Sequence, residues 1–263
     1  MVWLRAFNLR DMSTNICLII PCFNEAARLD FDQFAELPAG VTCLLVDDGS
    51  SDGTGELLRR HESSALRVLE LPRNVGKAEA IRQGVLHARI SGLLDRADWV
   101  GYWDADMATP LSEIENFIAY AAIAEGHVDG IIGSRIDRLG STIIRSYRRH
   151  LLGRSFATLA SALLGLECYD SQCGAKLFRT DMVGRTFDEP FLSRWIFDVE
   201  ILVRLRDQRL IEYPLHRWVD VQGSKISIVK VAVPTLIDLL RIRLRYGRRQ
   251  TGAHRNTGDS TQR

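Results

Sequence analysis

The stretch Val41-Thr42-Cys43-Leu44-Leu45-Val46-Asp47-Asp48-Gly49-Ser50-Ser51-Asp52-Gly53 joins a short, β-branched apolar run to a cluster of carboxylates and small polar residues. The apolar run predicts a buried strand, and the residues after it predict a turn into a helix. Two adjacent carboxylates directly after a buried strand cost free energy unless they bind a ligand or cap the next helix. Both explanations stay open, because Asp52 or Ser51 could cap a helix that begins at Gly53.

Short β-branched runs alternate with longer helical patterns through the first half of the chain. Strands are predicted over residues 16–22, 41–47, 66–71, 99–104 and 128–134, and helices over 25–37, 53–62, 77–90 and 111–125. This alternation requires crossover connections, so it predicts an α/β fold with a mostly parallel sheet and helices on both faces. In such sheets ligands bind at the carboxyl ends of the strands.

The second half of the chain has a different pattern. A long helix with a basic start is predicted over 141–166, followed by a short segment over 168–178, a helix over 196–206 and a strand over 210–213. The stretch 225–249 interleaves apolar residues with seven Lys or Arg and a single acid, Asp238. It predicts an amphipathic helix at a membrane surface. The alternative is a helix that covers the core and turns a solvated face outward.

Composition excludes several classes of protein. Of the 263 residues 46% are hydrophobic, which excludes a disordered, collagen-like or coiled-coil chain. The 34 Lys and Arg nearly balance the 33 Asp and Glu, and no nucleic-acid partner is expected. The five cysteines lie mostly in apolar runs, which predicts reduced thiols in a cytosolic compartment. Neither a secretory signal nor a run of roughly 18 apolar residues occurs, so membrane contact is expected from the cytoplasmic side and peripherally.

The segment Trp103-Asp104-Ala105-Asp106, at the end of the fourth predicted strand, is the strongest chemical signal. Carboxylates at positions i and i+2, where a strand leaves the sheet, can hold Mg²⁺ or Mn²⁺ that takes further ligands from water and a diphosphate. Gly76 and Lys77 belong to a turn at the same predicted edge, where the backbone can approach a ligand and a positive charge begins a helix. Together these residues predict a nucleotide-diphosphate site.

Two other motifs lie in residues 49–58, after the second predicted strand, and both are rejected. Gly49-Ser50-Ser51-Asp52-Gly53 matches the nucleophile-elbow pattern of hydrolases, but an elbow normally has several strands before it. Gly53-Thr54-Gly55 begins like a dinucleotide-binding fingerprint, but Leu58 occupies the place of the third glycine. A hydrolase that uses Ser51 therefore remains a minor alternative.

Successive blocks of the sequence resemble the family 2 inverting glycosyltransferases with a GT-A fold. The blocks are Ile19-Ile20-Pro21-Cys22-Phe23-Asn24-Glu25, Val46-Asp47-Asp48-Gly49-Ser50, Asn74-Val75-Gly76-Lys77, Asp104-Ala105-Asp106 and Gly133-Ser134-Arg135. Further blocks are similar to the dolichyl-phosphate β-glucosyltransferase branch: Asp106-Met107-Ala108-Thr109, residues 170–178, Arg194-Trp195-Ile196-Phe197-Asp198-Val199-Glu200 and Gly223-Ser224-Lys225. The resemblance extends to about Tyr246.

The resemblance implies roles for particular residues. The nucleoside would be held by Pro21, Asn24, Glu25, Asp47 and Asp48, and the rest of the nucleotide sugar would lie near Gly76, Lys77, Asp104 and Gln172. The metal would bind Asp106 and Asp104, and Arg135 would reach the phosphates. The acceptor phosphate would meet Arg145, Arg149 and Lys225. The predicted catalytic residues are Asp104, Asp106, Arg135 and Asp198, the last of which would orient the sugar or the acceptor's cations.

The resemblance also implies a domain organisation. Residues 1–222 would form the GT-A catalytic domain, with a nucleotide-sugar half over 13–135 and an acceptor half over 136–222. Residues 223–249 would be the basic membrane-surface segment, and 250–263, which lack apolar residues to anchor them, a disordered tail.

The expected reaction moves a hexose, glucose from UDP-glucose, to a polyprenyl or dolichyl phosphate with inversion. A phosphate acceptor is already an anion near neutral pH, so it needs cations more than a general base. Two alternatives stay open, namely the same donor chemistry on a soluble or glycan acceptor, and a non-catalytic nucleotide-binding module. The second follows from Ala108, which stands where related mannosyl-phosphate synthases carry a metal-binding Gln.

Overall fold

The computed structural model of the chain describes residues 14–144, 147–220 and 228–247, without the side chains of 147–152 and 228–233. Its strands within these ranges are β1 (Ile16–Cys22), β2 (Val41–Asp47), β3 (Leu66–Glu70), β4 (Trp99–Trp103), β5 (Gly130–Ser134), β6 (Thr142–Ile144), β7 (Ala175–Arg179), β8 (Leu210–Pro214) and β9 (Arg217–Val219). Its helices there are α1 (Thr54–Arg60), α2 (Lys77–Ile90), α3 (Glu113–Ile123), α4 (Tyr147–Leu164), α5 (Val183–Phe187), α6 (Phe197–Arg204) and α7 (Ile228–Tyr246).

Seven strands form one sheet in the order β3-β2-β1-β4-β7-β5-β8, and β6 pairs with β9 in a separate two-stranded sheet. Neighbouring strands of the large sheet are parallel except β7, which runs antiparallel to β4 and to β5. The mostly parallel α/β sheet is therefore confirmed. Strand β7 was not predicted, because Lys176 interrupts its apolar pattern although the side chain is fully buried.

Both faces of the large sheet are covered, as predicted. Alternate residues of β1 point to opposite sides, so Leu18 and Ile20 pack in one apolar cluster while Cys17 and Ile19 pack in another. The first cluster includes buried residues of α1 and α3, and the second includes buried residues of α2, α5 and α6. Burying each large aliphatic or aromatic side chain contributes about 1.5–3 kcal/mol, so these two layers hold the sheet in place.

Helix α7 packs outside α6 and beside α4. Its residues Leu239 and Ile242 are fully buried against Leu164 and Val199, while Leu236 and Leu240 on the other side are about half exposed. The helix thus covers the core and also presents apolar side chains outward. In the described part of the chain, no helix has the length and apolarity needed to cross a bilayer.

The helix predicted over 25–37 is wrong, because only a short 3-10 turn, Phe31–Glu36, forms there. The backbone N–H groups of Glu25 and Ala26 donate to the side chains of Thr54 and Asp52, at 2.9 and 3.1 Å, which holds this segment against the next loop. Asp30 then caps the 3-10 turn by accepting from the N–H of Asp32.

The helix predicted over 141–166 begins later than expected. Its first residues are β-branched, and Thr142–Ile144 pairs with β9 as a strand before α4 starts at Tyr147. Helix α7 covers residues 228–246 of the predicted stretch 225–249, and the other predicted elements agree with the structure to within two residues at each end. Arg145, Lys225 and the tail 250–263 lie outside the described residues, as does the side chain of Arg149.

Candidate active site at the carboxyl edge of the sheet

Asp104 and Asp106 lie in a tight turn directly after β4. The backbone N–H of Met107 donates to the carbonyl of Asp104, and Met107 has a φ of +49°. The N–H of Ala108 donates to Oδ1 of Asp106 at 3.1 Å. Burial raises the pKa of Asp106, and the neighbouring Asp104 carboxylate raises it further. Two carboxylates this close favour a cation between or beside them.

Lys77 supplies one positive charge to this pair. It is the first residue of α2, and its Nζ lies 2.5 Å from Oδ1 of Asp104. Burial would lower the pKa of the Lys77 amine, but Asp104 and Asp198 outweigh that effect and raise its pKa. The structure therefore brings the predicted Gly76-Lys77 turn and the predicted acidic pair into direct contact.

Gly174, just before β7, packs against the Asp104 carboxylate. A Cβ atom on Gly174 would lie 1.9 Å from Oδ2 of Asp104, a distance that no real contact allows. The N–H of Asp104 donates to the carbonyl of Gly174 at 3.1 Å. Only glycine fits here unless Asp104 moves, so the lack of a side chain at position 174 permits the present position of this carboxylate. Sequence reasoning gave Gly174 no role, although it lies in one of the blocks that carried the resemblance.

The ends of β1 and β2 are joined by side-chain hydrogen bonds. Asn24, with a φ of +54°, accepts the N–H of Ser51 on Oδ1 at 2.9 Å, and its own N–H donates to Oγ of Ser50 at 3.0 Å. Asp47 accepts the N–H of Ser50 at 3.0 Å and is buried. These contacts hold the loops that follow β1 and β2 together at one edge of the sheet. Pro21, near the end of β1, is half-buried there.

Asp48 and Asp52 both have a visible structural role. The two carboxylate oxygens of Asp48 accept the N–H groups of Val75 and Gly76, at 2.7 and 2.9 Å, and its pKa is raised by burial. Asp48 thereby holds the turn that precedes Lys77. Helix α1 begins at Thr54 with Gly53 as its N-cap, so neither Asp52 nor Ser51 is the cap; Asp52 lies one residue earlier and accepts the N–H of Thr54 at 3.0 Å.

Glu25 presents an incompletely bonded carboxylate near the acidic pair. Its Oε1 accepts from Arg28 at 2.6 Å, while Oε2 is buried without a hydrogen-bond partner among the described residues. Burial raises the pKa of Glu25, and nearby Asp106 contributes to that rise. A buried acceptor without a donor is costly, so this oxygen fits a donor group on a ligand.

Arg135 is engaged by a carboxylate of the protein. Its Nε and Nη2 donate to the two oxygens of Asp170, at 2.6 and 2.7 Å, and its backbone N–H donates to the same carboxylate. Although burial opposes ionisation, Arg135 lowers the pKa of Asp170 below its usual value. The half-buried Gln172 follows in the same loop. A phosphate contact by Arg135 stays a prediction, since the Asp170 carboxylate already occupies two of its side-chain donors.

Asp198 is close enough to Lys77 to raise its pKa, and it forms an ion pair with the buried Lys176. Its Oδ1 accepts from Nζ of Lys176 at 2.5 Å and from the hydroxyl of Tyr102. Lys176 is fully buried and also donates to the carbonyl of Cys173 at 2.5 Å. The visible role of Asp198 is to neutralise Lys176, and a catalytic role for it stays a prediction. Sequence reasoning missed both of its partners, which lie within the strands.

The residues present fit a divalent cation that arrives with a diphosphate. No cluster of three or more His, Cys, Asp or Glu side chains suited to a metal occurs in the part of the chain that the structure describes. Two carboxylates, Asp104 and Asp106, remain, and Mg²⁺ is commonly held by one or two carboxylates together with substrate phosphates.

One further cation at this edge was not predicted as a site residue. Arg194 is exposed, and a Cβ atom on Gly76 would lie 2.9 Å from its Nη2. The only signal in the sequence is its place in the block that begins Arg194-Trp195. Charge and position together make it a candidate ligand-binding residue.

The model of "Glycosyl transferase family 2" matches residues 17–187 of this chain. The chain is 32% identical to the dolichyl-phosphate β-glucosyltransferase of Drosophila melanogaster over 89% of its length and 76% of the relative's. It is 30% identical to the enzyme of the same name from Homo sapiens, covering 91% of this chain and 77% of the relative. The resemblance seen in the motifs is therefore confirmed.

Solved structures of glucosyl-3-phosphoglycerate synthase from Mycobacterium tuberculosis share the fold. The complex of that enzyme with phosphoglyceric acid has a TM-score of 0.66 and 17% identity, covering 94% of this chain and 87% of that one. Its complex with Mn²⁺ and UDP-glucose has a TM-score of 0.64 and 16% identity, covering 89% and 79%. Fold, family model and relatives agree: the chain belongs to glycosyl transferase family 2 and is a glycosyltransferase with the GT-A fold.

Proposed function

We propose that this enzyme transfers glucose from UDP-glucose to a polyprenyl or dolichyl phosphate, with inversion at the anomeric carbon. The observation that carries the proposal is the contact of Lys77 with Asp104, beside Asp106, at the carboxyl edge of the sheet. The names of the curated relatives support glucose and a dolichyl-type acceptor. Family 2 enzymes are inverting, which supports a single displacement.

The donor would occupy the edge formed by β1, β2 and β4. We assign the nucleoside to Pro21, Asn24, Glu25, Asp47 and Asp48, with Gly76, Lys77 and Gln172 near the diphosphate and sugar. Two observations support this assignment: Oε2 of Glu25 lacks a donor, and Asp48 holds the turn that presents Lys77.

Asp106 and Asp104 would hold Mg²⁺ or Mn²⁺. When bound, such a cation supplies positive charge for the leaving diphosphate. Lys77 adds a second positive charge at the same place, in a partly desolvated site where charges interact more strongly than in water. Arg135 and Asp198 would keep the neighbouring loop and strand in position through Asp170 and Lys176.

The displacement itself needs no general base from the protein. A phosphate oxygen of the acceptor, already ionised, forms the new bond to the anomeric carbon as the bond from that carbon to the UDP oxygen breaks. UDP leaves with the electron pair, and no proton moves. The protein's task is therefore to bring two anions together, and we assign Arg145, Arg149 and Lys225 to the acceptor phosphate.

We propose peripheral attachment to the cytoplasmic face of a membrane through α7 and the basic stretch around it. Leu236, Leu240 and Leu244 form an exposed apolar stripe on α7, and Arg241 and Arg245 lie beside it. Each cation near an anionic surface adds about 1 kcal/mol, which suits reversible attachment. This function belongs to the proposed segment 223–249, outside the proposed catalytic domain 1–222.

A transfer assay tests the function. The protein is incubated with radiolabelled UDP-glucose, Mg²⁺ or Mn²⁺ and polyprenyl phosphate, and parallel reactions use GDP-mannose or a soluble acceptor. We expect a labelled glycolipid only from UDP-glucose with the prenyl phosphate. Label found only in a soluble glycan would favour the soluble-acceptor alternative, and UDP binding without any transfer would favour the non-catalytic module.

Flotation with anionic vesicles tests the attachment. The Leu240→Asp variant should float less than the unmodified protein, because it places a charge in the exposed stripe of α7. The matched control is Ile123→Asp, which alters an exposed residue on α3. Equal loss in both variants, or none in either, would contradict attachment through α7.

A further inference from the structure

The loop over residues 191–196, here called the Arg194 loop, places a guanidinium over the turn that begins α2. Nη2 and Nε of Arg194 lie 2.9 and 3.0 Å from the position that a Cβ atom of Gly76 would take. Gly76 has a φ of +91°, so both its missing side chain and its conformation suit this close approach. Lys77, which contacts Asp104, is the next residue in the chain.

Among the described residues, no carboxylate forms an ion pair with the guanidinium of Arg194. Within the described ranges it makes no hydrogen bond either. The carboxylate of Asp48 binds the same turn, and the charge of Arg194 acts to lower the pKa of Asp48, but the two oxygens accept the backbone N–H groups of Val75 and Gly76 and not the guanidinium. An arginine with all of its donors available, next to a site for phosphorylated substrates, is suited to an anion.

The neighbours of Arg194 in the loop are exposed apolar side chains. Leu192 is 41% exposed and Trp195 is 47% exposed, on either side of the arginine in the sequence. The diphosphate group itself gains nothing from such neighbours. A phosphate attached to a hydrocarbon chain matches both features, since its head is an anion and its tail is apolar.

The loop is held firmly and is joined to α7. The buried hydroxyl of Ser193 accepts the N–H groups of Trp195 and Ile196, at 3.1 and 3.0 Å, and donates to Asp238 of α7 at 2.7 Å. The N–H of Leu192 donates to the buried Glu200 at 2.8 Å. These bonds fix the backbone on both sides of Arg194, so its side chain starts from a fixed position beside the Gly76 turn.

We propose that Arg194 binds the phosphate of the acceptor and that Leu192 and Trp195 contact the first part of its prenyl chain. This inference rests on the proposed function and adds the residues through which the acceptor meets the donor site. The acceptor's tail runs from the Arg194 loop toward the exposed leucines of α7. Ser193 of this loop is hydrogen-bonded to Asp238 of that helix. Arg194 neutralises one phosphate charge and leaves another phosphate oxygen free to attack.

The experiment compares Arg194→Ala, Arg194→Lys and Trp195→Ala with Arg185→Ala, an exposed arginine on α5. For each variant we measure the KM for a long polyprenyl phosphate and for geranyl phosphate, the affinity for UDP with Mn²⁺ by calorimetry, and the Tm. Arg194→Ala should raise the KM for both acceptors about ten- to a hundredfold, as expected for loss of a charge-assisted hydrogen bond. UDP affinity should stay unchanged.

The other variants separate charge from tail contacts. Arg194→Lys should recover part of the loss, because it restores the charge without the planar donors. Trp195→Ala should raise the KM for both acceptors, because geranyl phosphate contains the first part of the prenyl chain that Trp195 is proposed to contact. Glycerol 3-phosphate, a phosphate without an apolar tail, should inhibit competitively against either acceptor, and its inhibition should weaken in Arg194→Ala but not in Trp195→Ala. Arg185→Ala should match the unmodified protein throughout.

Several outcomes would overturn the inference while leaving the proposed function intact. If Arg194→Ala weakens UDP binding by the same factor as it raises the acceptor KM, Arg194 serves the donor. If neither KM changes, Arg194 has no role in binding the acceptor. If Arg194→Ala lowers the Tm, Arg194→Lys and Arg194→Gln are compared instead. Equal acceptor KM values in these two variants would mean that the charge plays no part, which would overturn the inference. Failure of the unmodified protein to glucosylate any prenyl phosphate would instead contradict the proposed function itself.

Discussion

At the scale of single residues, the position of the Asp104 carboxylate requires that residue 174 has no Cβ atom. The carboxylate lies where a side chain at position 174 would be, and Lys77 contacts it from another direction. A carboxylate held this way can bind a ligand without losing much rotamer entropy on binding. The close approach also makes position 174 sensitive to the smallest substitution.

Gly174→Ala should reduce glucosyl transfer at least about tenfold, because a displacement of about 1 Å in a catalytic group can cost a hundredfold in rate. The new methyl group must push the Asp104 carboxylate away from its present position. The matched control is Gly184→Ala, where a Cβ atom would meet only the Asp188 carboxylate at an ordinary 3.4 Å. Transfer kinetics and Mn²⁺-dependent UDP binding measure the effect. Normal kinetics in a folded Gly174→Ala protein would contradict it.

The Arg135–Asp170 pair makes stability depend on pH. Arg135 holds the pKa of Asp170 below its usual value of about 3.9, so the pair stabilises the fold above that pH. The contribution is lost as the pH falls through the lower pKa of the folded state. Asp170→Asn should therefore be less stable by about 3 kcal/mol near neutral pH, since it leaves a partly buried arginine unpaired.

Urea unfolding of both proteins between neutral pH and about pH 3 measures that contribution. The difference in the free energy of unfolding should stay constant down to the usual pKa of aspartate and shrink below it. A difference that persists unchanged in acid would mean that packing, and not the charge of Asp170, stabilises this part of the fold.

At the scale of secondary-structure elements, sequence predicted best where periodicity and burial agree. Strands β1 and β2 and helix α2 have the predicted bounds, because each has one apolar period and clear turn residues at its ends. Strand β7 escaped prediction because Lys176 is buried by pairing with Asp198, which lies 22 residues away in the chain. No local pattern contains that information.

The same limit applies to the site. The carboxylates after β2 and β4 could be predicted because strand ends of a parallel sheet meet at one edge. Gly174 and Arg194 could not, because their roles depend on contacts with Asp104 and Gly76 from distant parts of the chain. The separate roles of Asp48, which holds the turn before Lys77, and of Asp52, which accepts the N–H of Thr54, likewise required the fold.

Helix α7 offers a matched pair of leucines for measuring what its packing contributes. Leu239 is fully buried against α6 and α4, whereas the adjacent Leu240 is about half exposed. Leu239→Ala should lower the free energy of unfolding by about 2–5 kcal/mol, and Leu240→Ala by about 0.5 kcal/mol or less. Chemical denaturation measures both. Equal losses would mean that α7 is not docked in the orientation described.

At the scale of the whole molecule, the five cysteines report on how often the fold opens. All are free; Cys17, Cys22, Cys43 and Cys173 are buried, and Cys168 is half-buried. Burial raises the pKa of Cys17, Cys168 and Cys173 to about 12, so their thiolate fractions near neutral pH are very small. The expectation of reduced, buried thiols agrees with these positions.

A thiol-reactive dye at neutral pH should therefore modify the native protein slowly and the denatured protein at all five positions at once. Cys168 should be the first to react in the native protein, because it is the most accessible. UDP with Mn²⁺ should slow modification of Cys173 further if ligand binding stabilises the Cys173-Gly174 segment. Rapid reaction of four or five thiols in the native state would contradict the buried positions.

The antiparallel strand β7 has a consequence for how the chain is made on the ribosome. It lies between β4 and β5 and pairs with both. Because β4 and β5 are synthesised earlier, they lack this partner until the chain has been made as far as Arg179. Until then a nascent chain carries open apolar strand edges, which can pair with those of neighbouring chains. A fragment ending at residue 135 would keep these edges permanently, so we expect it to aggregate more readily than the whole chain.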